Sequence, residues 1–419
     1  MRAAKCGQKS FIVAFLVAAV AFLAAVAVTG VRPETDNYLL FFSAGLPSSM
    51  EYPPLALVFL GLPRLFASTS GGYEVAFAAE AFVFFVMGLI YTAKLAKRFN
   101  QSQNAAMLLY TCAMLLMLEF VLDRYDIFPA VITLLSIYCY VTKRYAMAWI
   151  LLSIATMTKL YPAVLMPTFL IPMLADRDWK GVTSGLILYL GVAILIFLPF
   201  LIANSDAATF FITYHWDRPL QIESLAASLI YPFVLAGVVE ASGMFSYGSD
   251  NMVGPIPDAV AGAMTPAMAV LLLLLYAVMY YLFWKIKKNG CNTEDNRRAM
   301  FGAALFLALT IFMMGGKVFS GQYILWIVPL SAFFCVVFSD VCQRRVVVLL
   351  LAAFIVLMQA EFAVNAFILN GDGLAAAGMF LILAKNVVLL AVMGMAVIAI
   401  RGRMAAWNRM PDRITDRNL

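Results

Sequence analysis

Tyr214 to Ser224 reads YHWDRPLQIES, and it places the chain's single histidine, an Asp-Arg pair and a glutamate within a few residues. Four other polar clusters share that character. They are Glu34, Asp36 and Tyr38 with Glu51 and Tyr52; Asp123-Arg124-Tyr125-Asp126; Thr158-Lys159-Leu160-Tyr161-Pro162; and Gly316-Lys317 with Ser320-Gly321-Gln322-Tyr323. Cations of this kind hold phosphate, carboxylates accept from hydroxyls, and Tyr and Trp rings stack on sugar faces. A single such cluster has a plainer reading, because loops between membrane helices are polar and aromatic residues line interfaces. Asp217 and Arg218 could equally pair with each other, and Glu223 or Ser224 could cap the helix that follows. Lys159 is harder to treat as filler. A lysine at the bilayer centre costs about 2.5–3.5 kcal/mol, so it must sit at a helix end, snorkel or meet an anion.

The elements that carry these clusters are apolar. The 419 residues are 64% hydrophobic and 12% charged, with a mean hydropathy of +0.92. Soluble domains carry about 25% charged residues. The composition therefore predicts an all-α, polytopic integral membrane protein. Twelve spans are expected, at about 11–30, 73–96, 104–122, 127–142, 145–159, 161–175, 181–203, 259–284, 299–316, 322–338, 346–364 and 379–400. The runs are too long, and too rarely alternating, for a membrane β-barrel.

Placing both termini in the cytoplasm puts most lysines and arginines inside, as the positive-inside rule requires. The exceptions are Arg32, Arg64, Arg124, Lys159, Arg218 and Lys317 at the outer face and Lys385 within the last span. The net charge of +6 is then loop bias, with no nucleic-acid partner implied. No cysteine falls in an outer loop and no metal-ligand spacing is present, so neither disulfides nor a metal are expected. Residues 1–30 read as a retained first helix, since the apolar stretch exceeds the usual signal-peptide core.

Two outer segments are long, 31–72 and 204–258. The first, punctuated by Pro53, Pro54 and Pro63, predicts an interfacial or re-entrant helix. The second predicts another interfacial helix at 225–239, then a Gly/Ser/Pro-rich loop, ASGMFSYGSDNMVGPIPD. The two halves do not echo one another, which weighs against transporters built from related halves. A flippase of lipid-linked glycans would need deep charges, for which Glu80, Glu119, Glu361 and Lys385 are the candidates. A non-catalytic accessory protein would leave the outer charges scattered.

EYPPLAL, RYDIFPA, TKLYPAVLMP, HWDRPLQIESL and KVFSGQYILWIVPL, in this order, resemble glycosyltransferase family 87. The motifs run from about Asp36 to Pro329; residues 346–400 carry none. Gly321 stands where the family often has Pro, and Ser48-Ser49-Met50 is less aromatic and charged than usual.

The resemblance implies a single transmembrane domain of GT-C fold over 1–419. Such an enzyme moves a hexose, mannose by default, from a polyprenyl-phosphate donor to a glycolipid or glycan acceptor at the outer face of the plasma membrane. It implies a catalytic carboxylate in the first outer loop, Asp36 or its rival Glu51, with inversion and no cofactor. Substrate would be held by Lys159, Tyr161, His215, Asp217, Arg218, Glu223, Lys317, Gln322, Arg124 and Asp126.

Overall fold

The computed structural model describes residues 2–28, 32–41, 51–368 and 374–408. In chain order the helices are α1 (Arg2–Val28), α2 (Pro33–Phe41), α3 (Ala56–Gly61), α4 (Ser70–Arg98), α5 (Gln103–Leu116) and α6 (Leu118–Asp123). Next come α7 (Ile127–Val141), α8 (Tyr145–Thr158), α9 (Met166–Asp176), α10 (Trp179–Ala203), α11 (Ser205–Asp217) and α12 (Leu225–Leu235). The last five are α13 (Pro255–Lys288), α14 (Glu294–Gly315), α15 (Ser331–Val337), α16 (Val341–Ile368) and α17 (Leu374–Asn408). The short strands β1 (Leu220–Gln221), β2 (Ser242–Ser246) and β3 (Ser249–Val253) form one antiparallel sheet in the order β1-β3-β2.

Seven helices are long and apolar enough to cross a membrane: Lys9–Val28, Ser70–Arg98, Trp179–Ala203, Pro255–Lys288, Glu294–Gly315, Val341–Val364 and Ala376–Trp407. The chain is a multi-pass membrane protein. The other five expected spans fall on shorter pieces. The run 104–122 is interrupted at Met117, whose backbone leaves helical geometry between α5 and α6. α7 and α8 have 15 and 14 residues. Pro162 sits in a 3-10 turn, Tyr161–Leu165, that precedes α9. The run 322–338 is two 3-10 turns, Gly321–Trp326 and Val328–Leu330, followed by α15. These breaks put the chain's polar residues at helix ends.

The Gly/Ser/Pro-rich stretch expected as a loop is a β-hairpin. Ser246 pairs with Ser249, and the two residues between them, Tyr247 and Gly248, have φ of 54° and 64°. Two positive φ values in a two-residue connection make the mirror-image turn that matches strand twist. A tyrosine at the first position hid that signal. The helix expected at 225–239 runs from 225 to 235, capped by Ser224, whose Oγ accepts from Ala227 N–H at 3.2 Å.

The described residues form two compact units. The first draws on Met1–Met166, Trp179–Trp216 and Gln322–Ala332; the second on Pro167–Asp178, Asp217–Gly321 and Phe333–Leu419. In the first, Ser136 Oγ donates to Ala148 O across the α7–α8 pair, and Ser153 Oγ donates to Tyr189 O between α8 and α10, both at 2.7 Å. A Cβ at Gly185 would collide with the Trp149 indole, so a glycine lets α10 close on α8. Its aromatic core includes Phe59 stacked on Phe128 and Phe84 edge-on to the same ring.

In the second unit, Leu220, Ile222, Ala227, Met252, Ala261, Met379 and Ile382 form one buried apolar cluster. That cluster binds the sheet and α12 to α13 and α17, and so anchors the segment that carries YHWDRPLQIES beyond Trp216.

Candidate active site

In the first unit, helix ends deliver the charges. Lys159 follows the last turn of α8 with extended backbone, while Asp126 immediately precedes α7 and makes no side-chain cap. The Asp126 carboxylate can therefore make longer-range bonds. Lys159 Nζ donates to both its oxygens, at 2.7 and 2.8 Å, and Trp326 Nε1 donates to Oδ1 at 2.7 Å. Asp126 is 1% exposed, so these bonds replace its water. Trp326 is stacked between Tyr161 and Tyr323, each with centroids 4.0 Å from its own. Lys159 also lies 4.6 Å from the Tyr125 ring centroid. The structure thus gives Lys159 a carboxylate of its own.

Tyr125 leads to a second group. Tyr38, Tyr52 and Tyr125 face one another at 4.8 to 6.5 Å. Burial raises all three phenol pKa values, which keeps these hydroxyls neutral. Arg124 Nη1 meets Glu34 Oε1 at 2.8 Å, and its Nε lies 3.5 Å from Asp123 Oδ2. Burial opposes the Arg124 charge, but Tyr38, Glu34 and Asp123 around it push its pKa up on balance. Burial raises the Asp123 carboxyl, with Arg124 opposing. Arg32 pairs with Glu74 beside this group.

Asp36 is different. Ser70 Oγ donates to its Oδ1 at 2.6 Å, and among the described residues no cation pairs with it. Glu34, Glu74, Asp123 and Asp126 each have a cationic partner. Glu51 lies near Tyr52 and Tyr125 and raises both phenols. Leu55 N–H donates to Met157 O at 2.9 Å, which fastens the EYPP segment to the end of α8. Tyr214 reaches the same neighbourhood electrostatically through Tyr52. His215 is exposed with its ring 5.4 Å from that of Tyr214, and Gln322 is half-buried in the 3-10 turn before Tyr323. Within this unit, residues from seven separate stretches of sequence, 32–38, 51–55, 70–74, 123–126, 157–161, 214–215 and 322–326, come together.

The second unit holds the remaining candidates. Asp217 is exposed, and Arg218 Nη2 donates to Ser249 Oγ of the hairpin at 2.8 Å. Lys317 is half-buried; burial and Arg218 lower its amine, with Asp217 opposing. Gln221 organises this region. Its N–H donates to Lys317 O at 2.9 Å, its Oε1 accepts from Phe319 N–H at 3.0 Å, and its Nε2 donates to Glu223 Oε2 at 3.2 Å and Ser320 Oγ at 3.1 Å. Glu223 is thereby fixed beside the Lys317 loop. Of the deep charges, Lys385 and Glu361 are paired with each other at 2.6 Å.

Sequence reasoning missed Ser70, Trp326 and Gln221. Gln221 lies inside YHWDRPLQIES and could have been found there. Trp326 likewise lies inside KVFSGQYILWIVPL, while Ser70, a helix-start serine, gave no signal. Among the described residues, no group of three or more His, Cys, Asp or Glu side chains could hold a metal ion.

Residues 50–248 match the family model for glycosyltransferase family 87. No curated protein matches the chain. The matched stretch contains Glu51 and four of the five motifs, and it excludes Asp36, the Lys317 motif and the last helices.

Proposed function

We propose that this chain, a membrane glycosyltransferase by its family 87 stretch, moves a hexose from a polyprenyl-phosphate donor to a hydroxyl of a glycolipid or glycan. Mannose is the first candidate sugar, and the reaction is placed at the outer face of the plasma membrane with both termini in the cytoplasm. The observation that carries the reading is Asp36. It is a carboxylate on α2 whose side-chain partner among the described residues is a neutral hydroxyl, Ser70 Oγ, and not a cation.

In this reading Asp36 takes the proton from the acceptor hydroxyl as that oxygen attacks the anomeric carbon. The bond from that carbon to the phosphate oxygen breaks, and its electron pair leaves with the polyprenyl phosphate. The phosphate is a good leaving group and needs no strong acid. One displacement inverts the anomeric centre. Tyr38, Tyr52 and Tyr125, neutral donors beside apolar rings, suit a sugar better than an anion. Taken by itself, the second unit offers Lys317 and Arg218 as candidates for an anionic group, and in the first Lys159 bonds Asp126.

Membranes containing the full chain, supplied with sugar-labelled polyprenyl-phosphate mannose, test this. Asp36→Asn should lower transfer by about 10²–10⁴-fold. Undiminished transfer would dismiss Asp36 and turn attention to Glu51→Gln. No transfer by the unsubstituted chain from a panel of polyprenyl-phosphate hexoses would overturn the donor class.

A further inference from the structure

The last two helices contain no residue assigned to the site and lie beyond the family match, yet they hold buried polar contacts. Asn386 of α17 is 0% exposed. Its Nδ2 donates to Glu223 O at 3.3 Å and to Ser228 Oγ at 3.2 Å. Its Oδ1 is buried with no hydrogen-bond partner among the described residues. One position earlier, Lys385 Nζ pairs with Glu361 of α16 at 2.6 Å and lies 5.2 Å from the Phe319 ring centroid. Phe319 also stacks on Phe354 of α16 at 6.2 Å.

We infer that Asn386 is a positioning residue for the loop that carries Lys317, acting through Glu223 and Gln221, and that the Lys385–Glu361 pair fixes the other flank of that loop. What the loop binds rests on the proposed function; the positioning itself does not.

The route is continuous. Asn386 holds the Glu223 carbonyl, Glu223 accepts from Gln221, and Gln221 bonds the backbone of the Lys317 loop at Lys317 O and Phe319 N–H. From the opposite side, Phe319 rests between the α16 ring and the Lys385 ammonium. Burial of a Lys–Glu pair inside apolar helices is a weak source of stability, since well-packed apolar residues do as well or better. An amide with an orphaned oxygen is likewise poor filler. Directional bonds do what apolar packing does not: they fix the position of a half-buried lysine on a loop. Misplacing a binding group by about an ångström costs on the order of 10²-fold in rate.

The test uses the purified full chain with two substitutions of near-constant volume, Asn386→Leu and the double change Glu361→Gln/Lys385→Met. Amide hydrogen exchange gives an answer that needs no activity. Faster exchange confined to about 220–224 and 317–320, with α13 and α14 unchanged, is expected for both. Exchange in those segments equal to that of the unsubstituted chain would overturn the inference, and so would a uniform rise across the second unit, which marks a merely structural role. Transfer assays give the second readout: donor KM rising about 10–100-fold with kcat little changed, and no further rise when Asn386→Leu is added to Lys317→Met. Additive effects of those two changes would also overturn it. Local exchange changes in a chain that transfers no sugar would support the positioning while sinking the proposed function.

Discussion

Ser70, the first residue of α4, donates a 2.6 Å hydrogen bond to Asp36 of α2. The hydroxyl holds Oδ1, and in the proposed reaction the second carboxylate oxygen takes the proton. A lysine or arginine in its place would fix the carboxylate equally well but would lower its basicity.

Ser70→Ala should therefore weaken transfer modestly. A neutral hydrogen bond contributes about 0.5–1.5 kcal/mol, which corresponds to a loss of about two- to tenfold in kcat. In the Asp36→Asn background the same change should cost nothing more. Steady-state transfer by the two single variants and the double variant checks this.

Asp126→Ala should destabilise the first unit. It strips Lys159 and Trp326 of a buried acceptor, and breaking such a pair costs about 3–5 kcal/mol. Asp126→Leu combined with Lys159→Met should recover most of the loss. Thermal unfolding in detergent is the measurement, with the double variant unfolding above the single one.

Lys317 should set an alkaline limit. Its amine is shifted below the ordinary lysine value by burial, so the charge is lost at a lower pH than for a free lysine. Donor binding should weaken as pH rises through that lowered value, and Lys317→Arg should move the limit upward. Stability should change in the opposite sense. Between the folded and unfolded pKa values the unfolded chain binds more protons, so folding becomes more favourable as pH rises there. The pH dependence of donor KM, set beside that of thermal unfolding, reads both signs.

Gly248→Val should loosen the hairpin. At φ 64° a side chain with a branched Cβ is strained by about 1–2 kcal/mol, whereas Tyr247→Asn at φ 54° should be neutral or favourable. Limited proteolysis near 247–248 should speed up in the first variant and not in the second. Arg218, which bonds Ser249 in this hairpin, gives a functional echo in donor KM.

The sequence made the membrane character plain, because long apolar runs bounded by basic loops are the pattern that a bilayer imposes on a helical chain. It also marked most of the polar segments that come together within each unit. It did not reveal which partners each charge takes. Lys159 read as needing a helix end, snorkelling or an anion, and no spacing singled out Asp126, 33 positions away, as that anion. The hairpin was hidden because Tyr247 occupies a left-handed position usually given to Asn, Asp or Gly. The breaks within the expected spans stayed hidden, since composition alone does not register one such as Met117. Glu361 and Lys385 stood out only as deep charges without a pattern, and pairing across two helices leaves none to see.

The bonds from Asn386 reach residues 158 and 163 positions earlier in the chain. Pieces of this protein are therefore not interchangeable along its linear order. A chimera that grafts a relative's final helices onto this chain would separate an amide from the carbonyl it was shaped to meet. To exchange them intact, the segments around 220–228, 317–320 and 361–386 would have to travel together, as one inherited block in space although they are three in sequence.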